Sequence, residues 1–314
     1  MSIIEKIKGE PIKSSEQLFK EIDSIMKGDD VWIFRGQKGK DKKEKKNENL
    51  LETSLEKALS SFDHEREDAP SIEKGLLRKF KRHAALYLEN VPVFDNYMEW
   101  FALMQHYGAP TRLQDWTYSP YSAVYMAIND MKRNAEVWSI NTTYIEKSAI
   151  KLIRQKSTFK KKKDKDIKEI MSNDSCTFIP ENFKKLFIEK PISFVLPMNP
   201  YYLNERLTIQ QGLFLCPGDI SKSFDDNLSA HFKKDDLKKE NIRIFKFENN
   251  ADLKKEILQR LYRMNMNNAV LFPGLDGFAK SLRTLLAFPY SQKKPGMLRD
   301  DIDLVKKHFS RMNK

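Results

Sequence analysis

"MQHYGAPTRLQDWTYSPYSAVYMAI", Met104 to Ile128, is the stretch whose reading decides this fold. Gln105, His106, Arg112, Asp115, Thr117 and Ser119 stand there among Tyr107, Trp116, Tyr118 and Tyr121. A surface loop would not gather so many aromatic rings. A plain core segment would not carry an arginine, an aspartate and a histidine. Such a mixture marks polar groups held in a packed wall, which is how a pocket is built. The stretch also sets an order of elements. "DNYMEWFALMQHYG" predicts a helix with Asp95 as N-cap and Met98, Phe101, Ala102 and Gln105 on one face. Gly108 is placed as the left-handed residue past its end, with Pro110 beyond. "TRLQDWT" predicts a short buried strand, in which Arg112 and Asp115 can form a buried ion pair. "SPYSAVYMAIND" predicts a helix with Ser119 at the N-cap and Pro120 at the first helical position.

Working outward, "SSEQLFKEIDSIM" predicts a helix capped by Ser14 or Ser15, with Leu18, Ile22 and Ile25 or Met26 on one face. "VWIF" is a β-favouring run ending at Arg35-Gly36. From Leu50 to Leu88 the pattern is helical, with Leu76, Leu77, Phe80, Ala84 and Tyr87 as an apolar stripe. "AEVWSI", "ISFVLP" and "IRIFKF" predict strands, and "ERLTIQQGLFLCPG" a strand pair or strand-turn. "DLKKEILQRLYRM", with Leu253, Ile257 and Leu261 on one side, and "GLDGFAKSLRTLLAF" predict amphipathic helices. Strands and helices are interspersed at irregular spacing, so the fold class expected is α+β rather than a doubly wound sheet.

The 314 residues are 40% hydrophobic, enough for a substantial core, so the chain is not of the disordered class. No apolar run approaches the roughly 20 residues of a membrane helix, and the first residues show no signal-peptide core. No membrane partner is expected, and the expected location is the cytoplasm. The two cysteines, Cys176 and Cys216, give neither a disulfide framework nor zinc spacing. Neither GxGxxG nor GxxxxGK[ST] occurs, which removes support for a Rossmann or P-loop nucleotide site. The net charge is +12 and favours anionic partners. Much of the excess sits in "KGKDKKEKKNEN" and "RQKSTFKKKKDKDIKEI", Lys38–Asn49 and Arg154–Ile170, which mix signs and read as mobile loops or exposed helix.

Three islands carry the chemistry: "WIFRGQ", the opening stretch and "RLTIQQGLF", Arg206 to Phe214. Arg35, at the end of an apolar strand and before a glycine, can lay a planar fork against a phosphate or ribose. In this order the islands resemble the FRG domain, named for the Phe-Arg-Gly found here as Phe34-Arg35-Gly36. "QHYGAPTRLQDWTYSPYSAVYMA" is similar to that family's longest motif and "QQGLF" to its third. The resemblance runs from about Val31 to Phe214, and "VLFPGLDGFAKSL" looks like the family's C-terminal end. It implies an N-terminal helix over 1–30 packed on the core and an FRG domain over 31–290. Charged insertions fall near 38–49 and 154–175, and a C-terminal extension over 291–314.

The plan is also similar to the Arg-Ser-Glu order of ADP-ribosyltransferases, with their mixed sheet core. That likeness implies NAD as substrate, a macromolecular acceptor such as RNA or DNA, and a setting as bacterial toxin or anti-phage effector with an antitoxin protein. Arg35 and Gly36 would meet the NAD pyrophosphate or ribose. Gln105, Thr117, Ser119 and Gln210 would complete the binding site. Arg35, His106 and Gln211 would be the catalytic candidates. His106 also reads as a residue that only satisfies a core hydrogen bond. One departure stands out: "TIQQG" lacks the glutamate that would stabilise an oxocarbenium ion, and glutamine supplies no charge. Asp115 or Glu205 are the carboxylates that could stand in. The alternative reading is a non-catalytic module that recognises a nucleotide or nucleic acid with the same pocket.

Overall fold

The computed structural model describes residues 7, 9–39, 51–131, 134–156, 158–171, 180–201, 205–233, 237 and 240–288. Most of the first lysine run, Cys176 and the 291–314 extension lie outside them. Seven strands form one sheet: β1 (Glu10–Pro11), β2 (Trp32–Lys38), β3 (Gln114–Thr117), β4 (Ala135–Asn141), β5 (Val195–Met198), β6 (Gly212–Pro217) and β7 (Ile242–Phe247). Their order is β1-β7-β4-β2-β3-β6-β5. β1 and β7 run parallel and every other neighbouring pair antiparallel, so the sheet is mixed. Helices surround it, as the irregular spacing predicts: α1 (Ser15–Met26), α2 (Ser54–Ser61), α3 (Ala69–Ala84), α4 (Tyr97–His106), α5 (Pro120–Ile128), α6 (Thr142–Ile153) and α7 (Asp164–Met171). The later ones are α8 (Pro180–Phe183), α9 (Glu205–Ile209), α10 (Phe224–Ser229), α11 (Ala251–Arg263), α12 (Asn268–Leu271) and α13 (Leu275–Leu285).

Alternation along the strands divides the core. Phe34, Val137 and Phe245 face α1, α5 and α11 through Leu18, Ile22, Ala123, Val124 and Ile257. On the β3-β6-β5 half of the same side, Phe214, Cys216 and Leu196 face Phe101 and Met104 of α4 and Ile153 of α6. The opposite side is one layer, in which Ile33, Trp116, Trp138, Leu213 and Ile244 pack against Phe224 and Leu228 of α10. The side covered by two clusters changes cover above β2 and β3. Those strands share a register at Phe34↔Thr117, whereas β2 pairs with β4 along all seven of its residues.

Several local expectations need correcting. The α4 cap is Asn96, whose side chain accepts from the Glu99 amide at 3.4 Å, because the helix begins at Tyr97, one residue later than an Asp95 cap requires. Tyr87 lies beyond the end of α3 and is exposed, while Leu77 and Ala84 of its stripe are buried. "ERLTIQQGLFLCPG" holds one strand, not two. Glu205–Ile209 is a short helix that stops where Gln211 turns left-handed, φ 50°, before β6 begins. The second lysine run is turn up to Lys163 and a mostly exposed helix, α7, from Asp164, but it is anchored in the core. Phe159 and Ile167 are buried in the α4 cluster. The buried Lys156 ammonium donates to the carbonyls of Lys185, Leu186 and Glu189. These oxygens lie in and just beyond the π-helical turn Lys184–Ile188.

Candidate functional site

Past Thr117, towards Gln114, β2 and β3 stop sharing register pairs, and side chains bridge the opening. Arg35 crosses it: its Nη1 donates to the backbone carbonyl of Asp115 at 2.5 Å. The Arg35 Nε is buried with no hydrogen-bond partner. Burial pushes this guanidinium below its ordinary pKa, and the charge of Asp115 opposes the shift. A buried donor left unpaired costs roughly 1–3 kcal/mol, so the geometry is one that a ligand oxygen would relieve.

The Asp115 side chain is exposed on the other side of the opening and is held from α4. Gln105 donates Nε2 to Asp115 Oδ2 at 2.9 Å. The Gln105 oxygen accepts from Thr111 Oγ1 at 2.5 Å and Ser54 Oγ at 3.2 Å. That pairing fixes which end of the amide faces the aspartate. The result is a seam with a desolvated cation and a positioned, solvent-facing carboxylate, joined through one residue's backbone. Strand alternation sets the two on opposite sides of the sheet, so a ligand that meets both has to reach through the opening.

The other expected site residues divide. Gly36 lies under α5, where an added Cβ would stand 2.0 Å from the Ala123 carbonyl oxygen. This glycine lets the helix cross the strand. Thr117 donates to the Gln210 carbonyl at 2.6 Å and accepts from the Ser119 amide at 2.9 Å. Ser119 caps α5 by accepting from the Ser122 amide at 3.2 Å. Gln210 is buried and donates to the Leu271 carbonyl at 2.9 Å. Thr117, Ser119 and Gln210 therefore lock β3, α5, β6 and α12 to one another. Gln211 is exposed in its left-handed turn, and its carbonyl accepts from the Tyr118 amide at 2.9 Å. His106 is exposed at the last turn of α4, edge-on to Tyr107 at 5.0 Å. Strand alternation sends Arg35 and Thr117 off opposite sides of the sheet, because Thr117 is level with Phe34.

The expected Arg112–Asp115 ion pair does not form. Arg112 is buried and pairs through two nitrogens with Glu73 of α3, with Nη1 also donating to the Phe187 carbonyl at 3.1 Å. Burial pulls its pKa down, but the charge and hydrogen bond of Glu73 outweigh this and the net shift is upward. Glu73 carried a legible signal. It lies four and seven residues before Leu77 and Phe80, on the apolar stripe of α3, where a carboxylate requires a buried cation. Ser54 and Thr111, which orient Gln105, carried no such signal. Among the described residues, no group of three or more His, Cys, Asp or Glu is placed to hold a metal ion. No helix there is long and apolar enough to cross a membrane.

Residues 30–136 match the model of the FRG domain family. The resemblance carried by Phe34-Arg35-Gly36 and the Met104–Ile128 stretch therefore holds over that span. It takes in Arg35, Gln105, Asp115, Thr117 and Ser119, and ends before β6 and the Gln210–Gln211 turn. No curated protein and no solved structure gives a significant match to the chain.

Proposed function

We propose that the seam between β2 and β3 binds NAD in an ADP-ribosyltransferase-like enzyme. In this reading the protein cleaves NAD and modifies a macromolecular acceptor. The observation that carries it is the buried, unpartnered Nε of Arg35, whose guanidinium reaches the Asp115 carbonyl through the opening, with the oriented carboxylate of the same residue exposed on the far side. Arg35 presents its free donor to a phosphate or ribose oxygen of NAD. Asp115 takes the place of the glutamate missing from "TIQQG". The bond from ribose C1′ to nicotinamide breaks, its electron pair leaves with the nicotinamide, and an acceptor oxygen or nitrogen bonds to C1′ while its proton passes to solvent. A fixed carboxylate beside C1′ stabilises the positive charge that develops there. The net charge of +12 favours nucleic acid as the acceptor. The setting of a bacterial toxin or anti-phage effector, with an antitoxin partner, comes with the resemblance.

A second reading, a non-catalytic nucleotide- or nucleic-acid-binding module, draws support from one observation. Gln210 is committed to Leu271 and Gln211 is a neutral side chain in an exposed turn, so the third island brings no carboxylate to the chemistry. One experiment separates the two. The protein is incubated with labelled NAD and separate pools of RNA, DNA and cell protein. Label in RNA or DNA that is lost with both Arg35→Ala and Asp115→Asn supports the enzyme with a nucleic-acid acceptor. Label in protein alone overturns that acceptor. NAD bound in a direct titration, with neither label transferred nor nicotinamide released, turns the conclusion to the binding module.

A further inference from the structure

At the end of the sheet where β2 starts and β3, β4 and β5 finish lies a second opening, a cavity of about 460 Å³. Its volume falls in the range of roughly 300–1,000 Å³ typical of small-molecule sites. Val31, Ile150 and Leu196 give it apolar walls. Tyr118 and Asn199 place a hydroxyl and an amide at one side, joined at 3.0 Å. Lys147 of α6 and Lys168 of α7 line it from two helices, and neither ammonium has a carboxylate partner among the described residues. Thr142 and Thr143 bring the positive end of the twelve-residue α6 to the same space, and Glu146 adds one carboxylate. Among the described residues, two exposed lysines and a helix start against one carboxylate leave an excess of positive charge at the rim of a partly apolar cavity.

We propose that this cavity binds a small phosphomonoester with a ring-bearing body, the phosphate between Lys147 and Lys168 and the body between Tyr118 and Leu196. The site is distinct from the Arg35 seam, since neither Arg35 nor Asp115 lines it.

Calorimetric titration of the full chain with AMP, ribose 5-phosphate, inorganic phosphate and adenosine tests the assignment. AMP should bind at least tenfold more tightly than adenosine, and Lys147→Ala and Lys168→Ala should each weaken AMP on the order of tenfold, as loss of a charge-assisted contact does. Tyr118→Phe should weaken AMP and ribose 5-phosphate but leave inorganic phosphate unchanged. Arg35→Ala should leave AMP binding intact, which separates this site from the proposed NAD seam. Equal binding of AMP and adenosine overturns the proposal. So does AMP affinity that is indifferent to both lysines, or that is lost with Arg35→Ala instead. Absence of binding by all three phosphates overturns it as well.

Discussion

At the residue scale, the opening stretch sorts into groups that line the seam and groups that hold the wall. Arg112 belongs to the wall, and its partner is Glu73 rather than the nearby Asp115. Glu73→Ala leaves a buried guanidinium without its counter-charge and should cost about 3–5 kcal/mol. Asp115→Ala removes an exposed carboxylate whose loss the Gln105 amide can make good with water, and should stay within about 1 kcal/mol of wild type. Urea denaturation of the two variants decides: equal losses would mean that Arg112 shares its charge with both. Gly36 makes a second prediction. With Ala123's carbonyl 2.0 Å from any Cβ, Gly36→Ala must push α5 off β2 and should cost about 1–3 kcal/mol. A variant as stable as wild type would show that the helix has room to move. That Phe34-Arg35-Gly36 carries the family resemblance was legible in the sequence. That its glycine serves packing and its arginine the seam was not, because the helix that needs the glycine arrives some 85 residues later.

At the scale of elements, most strands and helices follow from periodicity and caps. Ser14, Ser119 and Asn250 cap α1, α5 and α11, and Gly108 turns left-handed, φ 78°, after α4. The failures have a shared cause: composition hides burial. The second lysine run reads as solvated, yet Ile167 and Phe159 anchor it in the core. Ile167→Ala should therefore cost about 2–5 kcal/mol, the ordinary penalty for emptying a packed aliphatic site. A loss under about 0.5 kcal/mol, measured by thermal melts, would return the run to the surface. "GLDGFAKSLRTLLAF" misleads in the other direction. α13 turns Gly277, Ser281 and Thr284 inward and leaves Leu275, Phe278, Leu282 and Leu286 exposed. The inward face is dictated by close approach, since a Cβ on Gly277 would overlap the Phe272 carbonyl, and hydropathy alone points the helix the wrong way.

At the scale of the whole molecule, one buried histidine ties three parts of the chain together and makes their union sensitive to acid. His231, just past α10, accepts from the Val195 amide of β5 through Nε2 at 2.8 Å. Its Nδ1 meets the Ser148 hydroxyl of α6, and the Tyr144 hydroxyl donates to its carbonyl at 2.9 Å. With Nε2 occupied as an acceptor, Nδ1 must carry the proton, so the ring sits neutral with both nitrogens used. Protonation would leave two donors facing each other at Nε2. Burial pushes the pKa down to about 3 from an ordinary 6.5. Between those values the unfolded chain binds a proton that the folded chain refuses. Stability is therefore whole above pH 6.5 and falls as pH drops through the window towards 3. At pH 5 the loss from this one group is on the order of 2 kcal/mol. His231→Gln keeps an acceptor for Val195 and a donor for Ser148 but does not titrate. Denaturation of both proteins from pH 8 to pH 5 should show wild type losing its advantage over the variant below pH 6.5. A difference that stays flat across the range would mean that the acid sensitivity lies in other groups.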